Sequence, residues 1–222
     1  MTMIESTTSM VEVEQSGAVC FIRLNRPDAL NAFRPEMLDE LARLLGLIEK
    51  DLSIVVVILE GKGKAFSAGV DLKVLQGIDP KGGKVGDLFD EPARVAYTAI
   101  RDCRCPVIAK VHGACFTGAL EMALHCDFVL TTKDTKFGDT HAKFGLRPTW
   151  GMTQTLSQAV GIRRAKELSY TARTFLGAEA VELGIANQAL ETREELDQVA
   201  LDCAESIARN SRSALGAIKD LY

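Results

Sequence analysis

Hydrophobic and polar positions change period several times along the chain, and each change marks an element. VEVEQSGAVCFIRLN alternates apolar and polar residues around Ser16 and Gly17, which predicts two strands joined by a tight turn. After Pro35, a residue tolerated in a first helical turn, Met37, Leu41, Leu44, Leu45 and Ile48 recur at helical spacing. IVVVILEG is a continuous β-branched run closing on Gly61, as expected of a strand covered on both faces. A similar unit follows: EPARVAYTAIRDC reads as helix, PVIAKVHG as buried strand, GALEMALHC as a short helix and DFVLTT as strand. Strand and helix alternate, which predicts an α/β fold with a mainly parallel sheet and helices packed over it.

From Gly151 onward strand patterns nearly vanish. Segments 152–160, 162–171, 178–183, 193–209 and 211–221 read as helices, with only IANQAL extended. The chain therefore divides into a core over 1–190 and a helical C-terminal region over 191–222, a candidate oligomerisation element. The glycine- and lysine-rich GIDPKGGKVGDL, 77–88, reads as a mobile loop.

Bulk properties narrow the class. With 222 residues, 47% of them hydrophobic, the chain can bury a core as one domain or one domain with a small appendage. A net charge of −4 without a Lys/Arg cluster argues against a nucleic-acid partner. The longest apolar run, 54–59, is too short to span a bilayer, and the polar start MTMIESTTSM lacks the basic and apolar regions of a signal peptide. The expectation is a cytoplasmic protein with no membrane partner. The six cysteines lie mostly in apolar runs, as buried reduced thiols do. Cys103, Cys105, His112 and Cys115 match no common zinc spacing, so no metal is expected.

Candidate chemistry sits in two glycine turns. KAFSAGVDL follows a buried strand and precedes a candidate helix, and its small residues let a ligand reach main-chain N–H groups. VHGACFTGALEMA repeats the arrangement, with Gly118 at the start of a helix, where N–H groups lack internal partners. Two such turns on neighbouring parallel strands would aim two donors at one developing oxyanion. The alternative is that the glycines only allow close packing. Glu121, three residues past Gly118, falls on the same helix face amid apolar neighbours, and a partly desolvated carboxylate there suits acid/base work.

LNRPDALNAF, KAFSAGVDLK, VHGACFTGALEMALHCDFVLTT, KFGDTHAKFGLRPTWGMTQTLSQAVG and TARTFLGAEAVELGIAN, in this order and spacing, resemble the enoyl-CoA hydratase/isomerase (crotonase) family over about residues 10–215. The resemblance implies a spiral of ββα units with a helical C-terminal region, a homotrimer or hexamer, and acyl-CoA thioester substrates without a resident cofactor. It places Val70 and Gly118 at the positions whose N–H groups hold the thioester oxygen, and Glu121 at that of the first catalytic glutamate. Ala68, beside Gly69, falls at the CoA adenine contact, and Asp71 and Leu72 continue that wall. Lys73 falls where a basic group often lies near the CoA phosphates, although a solvated lysine fits equally. Ala29 and Leu30 resemble the segment along the pantetheine path, and Phe116 is a pocket-shaping candidate.

One departure concerns chemistry: His141 stands where the best-known hydratases carry a second glutamate. It either orients water or relays a proton, steered by Asp139, or it only hydrogen-bonds within its loop. A second departure is length, since the family usually continues beyond ALGAIKDLY; either the sequence is cut short there or the acyl pocket is more open than usual. The leading expectation is an enoyl-CoA hydratase. The alternatives are an isomerase using one glutamate, a non-catalytic acyl-CoA binder and, from Ser67 in the first turn, a serine hydrolase that lacks a G-x-S-x-G elbow. Trp150 reads as pocket wall or as core.

Overall fold

The computed structural model describes residues 4–76 and 81–222. Part of the stretch expected as a loop, 77–80, lies outside the described residues. Strands β1 (Val11–Ser16) and β2 (Val19–Leu24) form the expected hairpin about Gly17, whose φ of 59° suits glycine. β3 (Val56–Gly61), β4 (Val107–Val111), β6 (Phe128–Thr132) and β9 (Gln188–Leu190) continue the sheet in the order β1-β2-β3-β4-β6-β9, parallel beyond the hairpin. A second sheet, β5-β7-β8, joins Ala114–Phe116, Lys136–Gly138 and Phe175–Leu176. The sequence pattern did not announce it, because strands of two or three residues are too short to show a period.

Both faces of the large sheet are covered, which explains its unbroken apolar runs. On one face Cys20, Ile22, Leu24, Val57, Leu59, Val107 and Ala109 pack against α1 (Pro35–Ile48), α2 (Asp87–Asp102) and α3 (Gly118–Leu124). On the other, Val19, Val56, Ile58, Ile108 and Leu130 meet Leu196, Ala200 and Ala204 of α7 (Arg193–Ala208). The helix α7 thus closes the core of the sheet rather than standing apart from it. Between them α4 (Met152–Val160), α5 (Ile162–Thr171) and α6 (Gly177–Glu182) follow the expected segments, and α8 (Arg212–Lys219) ends the chain. Arg212 and Lys219 anchor α8 by donating to the carbonyls of Ile54 and Ile100. Helix α2 begins four residues before the pattern suggested and carries Pro92 in its second turn.

Candidate active site

The loop after β3 is held by the segment that follows β2. Arg26 donates to Asp71, a 2.9 Å ion pair, and Asn31 accepts from the Arg26 amide while donating to the carbonyls of Lys62 and Ala65. Leu30 and Asn31 adopt left-handed backbone, a conformation asparagine tolerates better than most residues. The two segments then zip together. Ala68 N–H donates to Leu30, Phe33 N–H to Gly69, and Asp71 N–H to Phe33. This parallel bridge satisfies Gly69 and Asp71 and turns the amide of Val70, between them, away from its partner.

The loop before α3 lies beside it. Ser67 N–H donates to Ala114 and Phe116 N–H to Ser67, so the two turns run parallel. Gly69 (φ 93°) sits against the second turn so closely that a Cβ would lie 2.8 Å from the Phe116 carbonyl oxygen. Thr117 enters α3 at φ 52°, ψ −116°, a backbone that L residues rarely adopt, and its hydroxyl meets that of Thr140 at 2.9 Å. At Gly118 a Cβ would come within 2.5 Å of the Trp150 ring, so only glycine fits. Among the described residues, neither the Val70 nor the Gly118 N–H has an acceptor.

Glu121 follows one helical turn later, 1% exposed. Its Oε1 accepts from the amides of Trp150 (2.9 Å) and Met152 (3.2 Å), which leaves Oε2 to face His141 Nε2 at 3.4 Å. The other imidazole nitrogen, Nδ1, donates to Asp139 Oδ1 at 2.6 Å. His141 therefore bridges two carboxylates. Burial works against its charge, but hydrogen bonds with Asp139 and Glu121 outweigh burial and raise its pKa to about 9. Burial likewise opposes the charge of Asp139, yet bonds from His141 and Ser169 hold its carboxyl below the ordinary range. The two neighbouring side chains thus favour the protonated form of the His141 imidazole.

These residues face a cavity of about 700 Å³. Ala29, Leu30, Ala68, Val70, Asp71, Leu72, Lys73, Phe116, Glu121 and His141 all line it. Gly69 and Gly118 do not line it themselves but pack against Phe116 and Trp150, which do. Of the two readings of Trp150 both hold: it is 2% exposed and also lines the cavity. The sequence reading missed Arg26, Thr140, Lys143 and Arg147, which join Lys73 around the same space. Arg26 lay within LNRPDALNAF, but nothing in the pattern paired it with Asp71, 45 residues away. Ser67 is fully buried, donates to the Asn31 carbonyl and accepts from Gly69 N–H. Those bonds make it a turn-former, and it is not among the residues that line the cavity.

The enoyl-CoA hydratase/isomerase family model matches residues 14–222. The chain belongs to that family. A probable enoyl-CoA hydratase of Rhizobium meliloti is 36% identical, covering 94% of this chain and 79% of that protein. A peroxisomal Delta(3,5)-Delta(2,4)-dienoyl-CoA isomerase of Arabidopsis thaliana is 31% identical over 96% of this chain and 80% of its own. In three dimensions the chain resembles a putative enoyl-CoA hydratase from Thermobifida fusca solved in complex with acetoacetyl-CoA. The TM-score is 0.86 at 27% identity, over 96% of this chain and 86% of that one. The crotonase fold expected from the sequence is thus the fold observed, and hydratase and isomerase both occur among these family members.

Proposed function

We propose that this chain adds water to 2-enoyl-CoA thioesters, with Val70 and Gly118 holding the thioester oxygen and Glu121 moving the proton. The observation that carries the reading is the pair of unpartnered amides on touching turns beside a buried carboxylate with one oxygen turned to His141. In this mechanism the water oxygen bonds to C3 while a water proton passes to Glu121 Oε2. The C2–C3 π pair moves onto the thioester oxygen, where two N–H donors, each worth about 3 kcal/mol of barrier, stabilise the enolate. The enolate re-forms the carbonyl as C2 takes a proton from His141 Nε2, and Glu121 returns its proton to the imidazole. The product is a 3-hydroxyacyl-CoA, and atoms balance without a resident cofactor.

Ala29, Leu30, Ala68, Leu72, Lys73 and Phe116 would form the CoA and acyl walls, with Asp71 bracing the loop through Arg26. Two lines of support accompany the geometry: the names of the hydratase relatives and the acetoacetyl-CoA bound to the structural relative. Among the described residues no helix is long and apolar enough to cross a membrane. A cytoplasmic homotrimer or hexamer belongs to the same reading.

A second reading is favoured by one observation: the partner of Glu121 is an imidazole rather than a second carboxylate. That acid/base pair also suits a double-bond shift, as in the isomerase relative. Glu121→Gln decides whether the carboxylate works at all. Hydration of crotonyl-CoA, read as loss of the conjugated thioester absorbance, should fall by at least about 10²-fold with binding nearly unchanged. Unchanged turnover would refute the mechanism, and saturable binding without turnover in the unaltered protein would leave only a binder.

A further inference from the structure

The turn that aims Glu121 is itself gripped from α2. Trp150 supplies three contacts to the site: its amide donates to Glu121 Oε1, its ring packs on Gly118, and its carbonyl accepts from His125 Nε2 at 2.7 Å. Its indole Nε1–H points to the far side and donates to Asp90 Oδ1 at 3.1 Å. The same oxygen accepts the Thr149 hydroxyl at 2.7 Å. Seven residues along the same helix, Tyr97 stacks on the His125 ring, 4.4 Å between centroids. One face of α2 therefore fixes the turn at two points. Nothing in the proposed chemistry needs a third carboxylate, and Asp90 spends one oxygen on two side-chain donors from adjacent residues of one turn.

We propose that Asp90 is a positioning residue of this site. Its carboxylate locks the 149–152 turn, which aims the Glu121 carboxylate through two backbone amides and presses the indole against the Gly118 oxyanion position. Without Asp90 the indole N–H and the Thr149 hydroxyl lose their acceptor, and the turn gains freedom along the direction that sets the distance from Glu121 to Gly118. A displacement of about 1 Å between reacting groups lowers turnover by about 10²-fold while hardly changing how the substrate's distant parts are bound. The inference rests on the proposed acyl-CoA reaction but names a group outside it.

Trp150 is the only tryptophan in the chain, so one indole N–H proton signal and one emission band report on this contact alone. The experiment compares Asp90→Ala, Asp90→Asn, Trp150→Phe and the double variant Asp90→Ala/Trp150→Phe with the unaltered protein. In Asp90→Ala the indole proton should move upfield and exchange faster with solvent. Its kcat on crotonyl-CoA should drop by about 10- to 10²-fold with KM changed less than about threefold. Asp90→Asn keeps an accepting oxygen and should recover most of the lost kcat. The double variant should be no slower than the slower single variant, because both changes cut one link. Wild-type kcat in Asp90→Ala, a loss confined to KM, no rescue by asparagine, or additive losses in the double variant would each overturn the assignment. An unaltered protein that turns over no enoyl thioester would refute the functional reading, and with it the catalytic consequence claimed for Asp90. That outcome is distinct, since it needs no variant.

Discussion

The charge on His141 can be tested through stability, independently of any substrate. Its imidazole rises from an ordinary 6.5 to about 9, burial opposing the charge and Asp139 and Glu121 more than compensating. At about 1.4 kcal/mol per pH unit, that rise ties about 3 kcal/mol of folding free energy to the imidazolium. The residue is only 7% exposed, so solvent screens the pair little. A folded-state value above the unfolded one means the contribution is complete below pH 6.5 and is lost as pH climbs through about 9. Urea unfolding of the unaltered protein and of His141→Gln, followed by circular dichroism at about pH 6 and about pH 10, isolates this linkage from the other titrating groups. The unaltered protein should lose about 3 kcal/mol more than the variant over that interval. Parallel losses in the two proteins would refute the reasoning, as would an NMR titration of the imidazole with a midpoint at or below its ordinary value.

Other outcomes follow from individual contacts. If His141 delivers the proton to C2, kcat should decline as pH rises through about 9, and His141→Gln should remove that limb of the profile. Gly118→Ala should cost about 1–3 kcal/mol in thermal unfolding, because its Cβ meets the indole, and should reduce hydration by more than that loss of folded protein explains. Asn31→Ala leaves the Arg26 amide and the Lys62 and Ala65 carbonyls short of a partner and should destabilise the fold by about 3 kcal/mol, read by chemical denaturation. Ser67→Ala should retain turnover within about tenfold, since its hydroxyl only braces the turn; complete inactivation would restore the hydrolase reading.

The large sheet was legible because both of its faces are buried. A run such as IVVVIL has few other ways to lie, and β3 falls almost where the run does. The helices from 152 onward were legible by period, each within a residue or two. The small sheet was not, since β8 has two residues and owes its existence to β7 rather than to its own pattern. The turns could be located by their glycines, but the strained backbone of Thr117, which swings Gly118 into place, has no signature in a threonine codon by itself. His141 could be flagged and not assigned. Its charge is set by Asp139 two residues away and by Glu121 twenty residues earlier, and only the folded chain brings the three together. Asp90 carried no sequence signal, because its role depends on facing a turn that begins 59 residues downstream.

The short parallel bridge between Phe33 and Val70 has an evolutionary corollary. Which amide looks into the cavity is decided by odd-even counting along the two paired segments, not by the identity of the side chain there. Most substitutions at position 70 would thus be neutral for the donor itself, whereas a single-residue insertion or deletion between 30 and 33 or between 67 and 71 would hand the outward role to a neighbour already engaged. Drift at this locus should accordingly alter letters while conserving length.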